Sequence, residues 1–269
     1  MAFLPLYKYY ILNGEIKPVA AFVPSENDGG IYEVIRVERG VPLFIGEHLQ
    51  RFFSSVKIAR KIALYSKFEI IAFVKKLIVE NGIDAGNILI SCRESLKIFF
   101  VAHKYPTGKM VAAGVECGIL YAERVNPNAK VLQTTVRQKA EKLMSEHNYF
   151  EVLLVNRSGR ITEGSRSNVF FVKGIEIVTP PGNNVLLGVT RKKTIELAQK
   201  LGYYFYEQEI EFDKLPDFDA VFITGTSPKI LPVKQIGKQL FDPQNKIVRD
   251  LIAGYNQLVD EYVKRYLPN

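Results

Sequence analysis

The apolar pattern of the chain changes its period at Gly46, and this change limits the folds that the first half can adopt. Before it, short β-prone runs alternate with turn signals, and Asn13-Gly14 between the runs Lys8–Leu12 and Ile16–Val23 predicts a β-hairpin. After it, apolar residues recur at helical spacing on one face, namely Leu49, Phe52, Phe53, Val56, Ala59 and Ala63. Strands followed by helices of this kind predict an antiparallel α+β half.

Further elements of the first half follow from the same signals. Gly30 precedes the next strand, the turn Glu38-Arg39-Gly40 follows that strand, and Gly82 is placed to end a helix. The predicted elements are the strands Ile31–Val37 and Val41–Ile45, the helix Phe68–Asn81, and the strands Ile88–Cys92 and Ile98–Ala102.

A region rich in Gly, Pro and Asn divides the chain. It covers Lys104–Gly118 and Val125–Asn128, which we expect to be loops at a domain junction. Two domains are therefore predicted, 1–118 and 119–269. The elements predicted after the junction are the helix Thr134–Glu146, the strand Glu151–Asn156, a hairpin-like stretch Ile161–Ile177, the helix Thr190–Leu201, the strand Ala220–Thr224 and the helix Ile247–Tyr266.

The composition excludes several classes of protein. Of the 269 residues, 47% are hydrophobic and 24% are charged, which is the balance of a globular chain and not of a disordered one. Cys92 and Cys117 fit no metal or redox spacing, and the histidines lie far apart, so we expect no metal site and a reducing compartment. No signal-peptide pattern follows Met1, and no stretch approaches the ~18 uncharged apolar residues of a membrane span. A cytoplasmic protein without a membrane segment is expected.

The formal net charge of +8 allows two kinds of partner. Nucleic acid is one, but the basic residues are dispersed and form no stripe interleaved with aromatic residues. An anionic small molecule in a basic cleft is the other. We therefore expect no nucleic-acid partner.

Several residues could take part in catalysis or binding, although each of them, taken alone, could equally have an ordinary structural or surface role. Arg51 falls on the side of its helix opposite the apolar face, where it can meet an anion or solvent. Val189 and Thr190 begin a helix, where backbone N–H groups bind anions, but threonine is also an ordinary N-cap. The stretch Thr224-Gly225-Thr226-Ser227 ends a strand and suits either a phosphate or a plain turn. Glu163 could be a rim residue, and Lys130 is one lysine of many.

Together these stretches occur in the order and rough spacing of one family. From about Tyr9 to Val233 the chain resembles the class IV aminotransferases. These fold-type IV pyridoxal 5'-phosphate (PLP) enzymes include D-amino acid and branched-chain aminotransferases and aminodeoxychorismate lyases. The stretches that carry the resemblance are Gly30-Ile31-Tyr32-Glu33, Glu47-His48-Leu49-Gln50-Arg51, Lys130, Glu163-Gly164-Ser165-Arg166-Ser167-Asn168-Val169-Phe170, Gly188-Val189-Thr190-Arg191 and Thr224-Gly225-Thr226-Ser227.

The resemblance implies a fold and a set of residue roles. The fold is α+β, with a small N-terminal α/β sandwich and a larger C-terminal β-barrel-like domain with helices. Lys130 matches the lysine that forms a Schiff base with the cofactor, and Glu163 matches the carboxylate that keeps the pyridine nitrogen protonated. Arg51 matches the arginine that binds the cofactor phosphate. The other implied roles are phosphate binding by Val189, Thr190 and Thr226 and substrate binding by Tyr32 and Ser227.

Departures from the family pattern leave the substrate open. Branched-chain enzymes have Lys-x-x-Gly-Asn-Tyr, whereas Lys130 is followed here by Val131-Leu132-Gln133-Thr134-Thr135, so that the tyrosine is absent. D-amino acid enzymes have Thr-Arg-Gly on a central strand, where this chain has Ser91-Cys92-Arg93-Glu94-Ser95. They also have a serine at the position that Arg166 occupies in this chain. Lys139 and Lys142, on the following helix, are alternatives to Lys130.

The resemblance predicts an aminotransferase that moves an amino group between an amino acid and a 2-oxo acid. The alternatives are a lyase of the 4-amino-4-deoxychorismate type that releases pyruvate, and a protein that binds the cofactor without turnover. The family's active site lies between two subunits, so we expect a homodimer. The aromatic residues that could form its interface, or could instead belong to the core of their own domain, are Tyr7, Tyr9, Tyr10, Phe22, Phe52 and Phe53.

Overall fold

The structure, a computed structural model, describes residues 3–24, 30–131 and 134–267. It divides into two compact units. The first unit comprises Met1–Lys104, Ala129–Thr134 and Val259–Asn269, and the second comprises Tyr105–Asn128 and Thr135–Leu258. The domain limits expected from the sequence, 1–118 and 119–269, stay a prediction.

The first unit contains an antiparallel sheet, two complete helices and, from Val259, the end of the C-terminal helix. In the described residues the sheet has six strands, in the order β2-β1-β6-β5-β3-β4. The elements are β1 (Tyr9–Leu12), β2 (Glu15–Pro18), β3 (Ile31–Glu38), β4 (Val41–Pro42), α1 (Ile45–Ile58), α2 (Lys67–Asn81), β5 (Gly86–Cys92) and β6 (Leu96–Val101). The hairpin predicted at Asn13-Gly14 is confirmed, since both residues have the positive φ that a tight turn between β1 and β2 requires (50° and 87°).

One face of this sheet packs against α1 and α2. Its buried residues include Ile35, Ile88 and Ile98, and they share a core with Leu49 of α1 and Leu77 of α2. Because β3 alternates buried and partly buried residues, Glu33 lies on the buried side, in line with Ile31, Ile35 and Val37. A carboxylate therefore projects toward the helices of the first unit.

Two expectations for the first unit are wrong. The strand expected over Val41–Ile45 ends at Pro42, because Phe44 adopts a left-handed conformation (φ 50°) that turns the chain into α1 at Ile45. Ala63 is not on the apolar face of α1, since the helix ends at Ile58. The helix predicted over Phe68–Asn81 is confirmed as α2, which a Ser66 capping box begins and Gly82 ends with φ 63°.

The remaining strands form a second sheet, which belongs to the second unit. In the described residues it has ten strands, in the order β12-β11-β10-β14-β15-β7-β8-β9-β13, with β16 paired to β15. The elements are α3 (Gly108–Ala113), β7 (Val115–Tyr121), α4 (Thr134–His147), β8 (Glu151–Val155), β9 (Arg160–Gly164), β10 (Asn168–Lys173), β11 (Glu176–Thr179), α5 (Val189–Lys200), β12 (Tyr204–Glu207), β13 (Ile210–Glu211), β14 (Ala220–Gly225), β15 (Lys229–Ile236), β16 (Gln239–Leu240) and α6 (Lys246–Tyr266).

The centre of this sheet is apolar on both faces. Phe171, Ile223 and Leu231 belong to the core on one face. On the other face Phe170 stacks on Phe222, with ring centroids 4.9 Å apart, and α5 packs against β14. Strands buried on both faces read as continuous apolar runs, which is why the predicted strand at Ala220–Thr224 is confirmed as β14.

Two expectations for the second unit are also wrong. The loop expected over Lys104–Gly118 contains α3 and the start of β7, because Thr107 caps α3 by accepting the N–H of Met110. The hairpin-like stretch Ile161–Ile177 is not a single hairpin. β10 pairs with β11, whereas β9 pairs with β8 and β13.

Candidate active site

The backbone of Lys130 is held by neighbouring elements of the first unit. Its N–H donates to Oγ of Ser55 on α1 at 3.0 Å, and its C=O accepts from the N–H of Tyr32 on β3 at 3.1 Å. The N–H of Val131 donates to the C=O of Ala129 at 2.9 Å, which makes Lys130 the central residue of a γ-turn. Nζ of Lys130 lies 4.7 Å from the centre of the Tyr32 ring. Two residues predicted for the site therefore lie side by side.

A buried ion pair joins β3 to α1. Nε of Arg51 donates to Oε2 of Glu33 at 2.9 Å and Nη2 donates to Oε1 at 2.5 Å, so that the guanidinium binds the carboxylate with two hydrogen bonds. Nδ1 of His48 lies 3.2 Å from Oε1 of the same carboxylate. All three residues occupy the space between the sheet and α1.

These contacts shift the pKa values of the buried groups. Burial acts to raise the pKa of the Glu33 carboxyl, but the charge of Arg51 and the contact with His48 outweigh it and hold this pKa well below its usual range. Burial lowers the pKa of His48, against the opposing effect of Glu33, and the positive charges of Arg51 and Lys130 lower it further. Glu33 is therefore ionised and His48 neutral at pH 7.

The expectation that Arg51 can face solvent is wrong, because its side chain is only 10% exposed and is directed to Glu33. The helix periodicity does place Arg51 away from the most apolar positions of α1. It also turns Arg51 toward the one carboxylate on the buried side of β3. A guanidinium has donors on more than one edge, and Glu33 occupies one of them.

Glu163 is 2% exposed in the second unit. Its Oε2 accepts the N–H of Leu186 at 3.1 Å, and its Oε1 lies 3.3 Å from Nε of Arg124. Arg124 also donates to the C=O of Ser165. The carboxylate thus fixes the segment that leads into α5, and Arg124 supplies the opposite charge that a buried carboxylate needs.

The rest of the Glu-Gly-Ser-x-Ser-Asn stretch folds around a second carboxylate, Glu151 on β8. Oγ of Ser165 donates to Oε1 of Glu151 at 2.6 Å, and Oγ of Ser167 donates to Oε2 at 2.8 Å. The backbone N–H of Arg166 also donates to Oε2, at 3.2 Å. Since Glu151 is 3% exposed, its oxygens are satisfied within the protein, by the two serine hydroxyls together with the backbone N–H groups of Val152 and Arg166.

Two glycines let these groups approach each other. A Cβ on Gly164 would overlap Oγ of Ser167 and would lie 3.1 Å from Cδ of Glu151. A Cβ on Gly188 would overlap Oδ1 of Asn168, whose Nδ2 donates to the C=O of Leu186 at 2.8 Å. Neither glycine has a positive φ, so space is what these positions require.

The start of α5 has the features of an anion site. Gly188 is its N-cap, no side chain caps it, and no acidic residue lies in the first turn. The backbone N–H groups of Val189 and Thr190 lie at the positive end of the helix dipole. Both residues are buried, with 6% and 5% exposure.

The turn between β14 and β15 contains the remaining predicted residues, Thr226 and Ser227. Thr224, just before it, pairs with Asn168 across the strands. The Thr224 hydroxyl is fully buried and has no hydrogen-bond partner among the described residues. Asn168 therefore connects this turn to the start of α5 within the second unit.

The predicted residues fall into two sets. The first unit brings together Tyr32, Arg51 and Lys130. The second unit holds the set Glu163, Val189, Thr190, Thr226 and Ser227. The alternatives to Lys130 lie on the surface of α4, where Lys139 is exposed and Lys142 forms an ion pair with Glu146 at 3.7 Å. Leu132 and Gln133, part of the stretch that departs from the branched-chain pattern, lie outside the described residues.

Sequence reasoning missed residues that hold the predicted ones in place. They are Glu33, His48, Ser55, Arg124 and Glu151. Period-two alternation in β3 could have indicated a buried Glu33, and a buried carboxylate requires a cation such as Arg51. Nothing in the local pattern distinguishes Ser55 or Glu151, since both are defined by contacts distant in sequence.

Among the described residues, the helices lack the combination of length and apolarity that a membrane crossing requires.

Comparisons with known proteins agree on one family. Residues 30–236 match the family model for class IV amino-transferases. A probable branched-chain-amino-acid aminotransferase of Rickettsia bellii is 27% identical over 277 residues, which cover 93% of this chain and 96% of the relative. A D-alanine aminotransferase of Staphylococcus aureus is 29% identical over 281 residues, which cover 93% and 98%.

Solved structures share the fold. The branched-chain amino acid aminotransferase from Escherichia coli superposes with a TM-score of 0.83 at 23% identity, over 94% of this chain and 95% of that one. The branched-chain amino acid aminotransferase from Thermobaculum terrenum, solved in its PLP form, gives 0.81 at 21%, over 97% and 96%. The expected α+β fold of the fold-type IV enzymes is therefore confirmed.

We predict that Gly164→Ala lowers the free energy of unfolding by about 1–3 kcal/mol, because the new Cβ forces Ser167 away from Glu151. Urea unfolding of the purified protein measures this. Gly108→Ala is the matched control, since a Cβ there meets nothing within 4 Å. Equal stability of the Gly164 variant and the wild type would contradict the packing described above.

Proposed function

Because the chain belongs to the class IV aminotransferase family, we propose that it binds pyridoxal 5'-phosphate through Lys130 and transfers an amino group from an amino acid to a 2-oxo acid. Its relatives reported above are named as aminotransferases. One solved neighbour is named in its PLP form, which supports this choice of cofactor.

The observation that carries this proposal is the placement of Lys130. Its backbone is fixed at both the N–H and the C=O, so that the root of the side chain has a defined position. Its amine lies beside the ring of Tyr32, whereas Lys139 and Lys142 lie in the exposed surface of α4. A positioned amine is the group that an aldehyde cofactor requires.

Each unit, described by itself, offers groups that suit a part of the cofactor. The first unit offers an amine and a guanidinium, in Lys130 and Arg51. The second offers a buried carboxylate in Glu163 and an uncapped helix start at Val189. The buried hydroxyl of Thr224, which has no hydrogen-bond partner among the described residues, is a further donor. It lies next to the turn between β14 and β15. Amine, carboxylate and anion-binding groups are what a phosphorylated pyridine aldehyde needs.

When bound, pyridoxal 5'-phosphate supplies an aldehyde that accepts the amino group and a pyridine ring that withdraws electron density. Lys130 would hold the cofactor through its amine, and the same amine would move a proton at the substrate Cα. The carboxylate of Glu163 would keep the pyridine nitrogen protonated by its negative charge.

The remaining residues would bind the cofactor phosphate and orient the substrate. The cofactor phosphate would be bound by Arg51, by the backbone N–H groups of Val189 and Thr190, and by the hydroxyl of Thr226. Tyr32 and Ser227 line the substrate side. We also propose a cytoplasmic homodimer.

Borohydride reduction of the purified, yellow protein should fix the cofactor on Lys130. Peptide mapping by mass spectrometry locates the label. Lys130→Ala should abolish the label, and Lys139→Ala, a matched control on the exposed face of α4, should leave it unchanged. A label on Lys139 or Lys142 would show that the wrong lysine is assigned.

Glu163→Gln should keep cofactor binding but lower turnover by about a hundredfold or more, because a neutral amide cannot hold the pyridine proton by charge. The glutamine oxygen can still accept the N–H of Leu186, and Arg124, which loses its ionic partner, still donates to the C=O of Ser165. Steady-state kinetics with D- and L-amino donors measure the effect, and Glu209→Gln, a surface glutamate paired with Arg160, is the control. Wild-type turnover in Glu163→Gln would disprove the role.

Light scattering should give a mass of twice the 30.5 kDa of the chain. The aromatic argument for the interface is wrong for Tyr10 and Phe52, which are buried in the first unit itself. Ile62 and Phe68, each 83% exposed in the single chain, support a contact surface better. A monomer mass with undiminished turnover per chain would refute the homodimer.

A further inference from the structure

We propose that Ser55 is a positioning residue that sets the distance between Lys130 and the helical turn of Arg51. The inference rests on the proposed function, in which Lys130 binds the aldehyde of the cofactor and Arg51 binds its phosphate. Ser55 contacts neither group of the cofactor in this proposal. It acts through the backbone of the two residues that do.

The hydroxyl of Ser55 makes two hydrogen bonds of opposite direction. It accepts the backbone N–H of Lys130 at 3.0 Å and donates to the backbone C=O of Arg51 at 2.9 Å. The residue is fully buried, so water does not replace either partner. A hydroxyl can donate and accept at once, whereas alanine can do neither.

Two further backbone contacts of the Lys130 segment lie on β3. The C=O of Lys130 accepts from Tyr32, and Val131 forms a β-bridge with Ile31. The hydrogen bond from the Lys130 N–H to Ser55 thus ties the segment to α1, the helix that carries Arg51. Loss of the Ser55 hydroxyl should leave the Lys130 segment bound to β3, but the distance between this segment and Arg51 should no longer be fixed.

This position matters for a ligand that is held at two ends. Once one end is bound, the other binds at an effective concentration that the geometry of the site determines. A small displacement of Lys130 relative to Arg51 lowers that concentration, although each end still binds by itself. The expected defect is therefore specific to a ligand that uses both ends.

The chain supplies a closely matched control in the preceding residue. Ser54 is on the same helix, and its Oγ donates to the C=O of Gln50 at 3.0 Å, as that of Ser55 donates to Arg51. Ser54 is exposed. Ser54→Ala removes the same kind of bond to the preceding helical turn and does not alter the contact between Ser55 and Lys130.

The test compares two ligands on the full-length chain freed of cofactor. Pyridoxal 5'-phosphate carries both aldehyde and phosphate, and pyridoxamine 5'-phosphate lacks the aldehyde. Ser55→Ala should raise the Kd for the first by about tenfold and that for the second by less than about threefold. Ser54→Ala should change neither. In the Lys130→Ala background, Ser55→Ala should have no further effect on the Kd for pyridoxal 5'-phosphate.

The outcomes separate the inference from its premise. Equal weakening of both ligands by Ser55→Ala would show a general structural role, and an unchanged Kd for pyridoxal 5'-phosphate would show no role, so either result overturns the inference. If Lys130→Ala itself leaves that Kd unchanged, the proposed function fails and the inference fails with it. Should Ser55→Ala not fold, Ser55→Cys, which keeps the volume but bonds weakly, takes its place with the same expectations.

Discussion

Buried carboxylates must be hydrogen-bonded or paired with cations, and this requirement organises the candidate site in both units. Glu33 on β3 binds Arg51 and His48 of α1. Glu151 on β8 binds Ser165 and Ser167. Each carboxylate projects from a strand and fixes a neighbouring helix or loop, so the sheets determine where the proposed cofactor-binding residues lie.

Such pairs specify position more than they add stability. The desolvation of two charges offsets much of their attraction, whereas removal of one partner leaves a buried charge at a cost of about 3–5 kcal/mol. Arg51 is therefore held in one orientation by Glu33 even before any ligand binds. A guanidinium that is already oriented loses less side-chain entropy when it binds a phosphate, which favours affinity.

Much of the fold could be predicted from the sequence because its signals are local. The hairpin at Asn13-Gly14, the end of α2 at Gly82 and the apolar strand β14 each depend on a few adjacent residues. The early end of the strand at Pro42 and the helix α3 could not be predicted, because the conformation of Phe44 and the cap at Thr107 are set by the geometry of single residues, which periodicity does not report. The hairpin expected over Ile161–Ile177 failed because the pairing of β9 with β8 is decided across the sheet.

The candidate site divides in the same way. Residues that belong to a motif, such as Glu163 and Lys130, could be proposed from the resemblance. Ser55 and Glu151 could not, because their importance follows from partners brought close only by folding.

The described contacts also explain why the motif indicates a family and not a substrate. Gly164, Ser165, Ser167 and Asn168 bind Glu151, Leu186 or each other, so the motif specifies the framework of the cofactor site. Substrate choice must then depend on residues outside that framework, where this chain departs from both branches of the family.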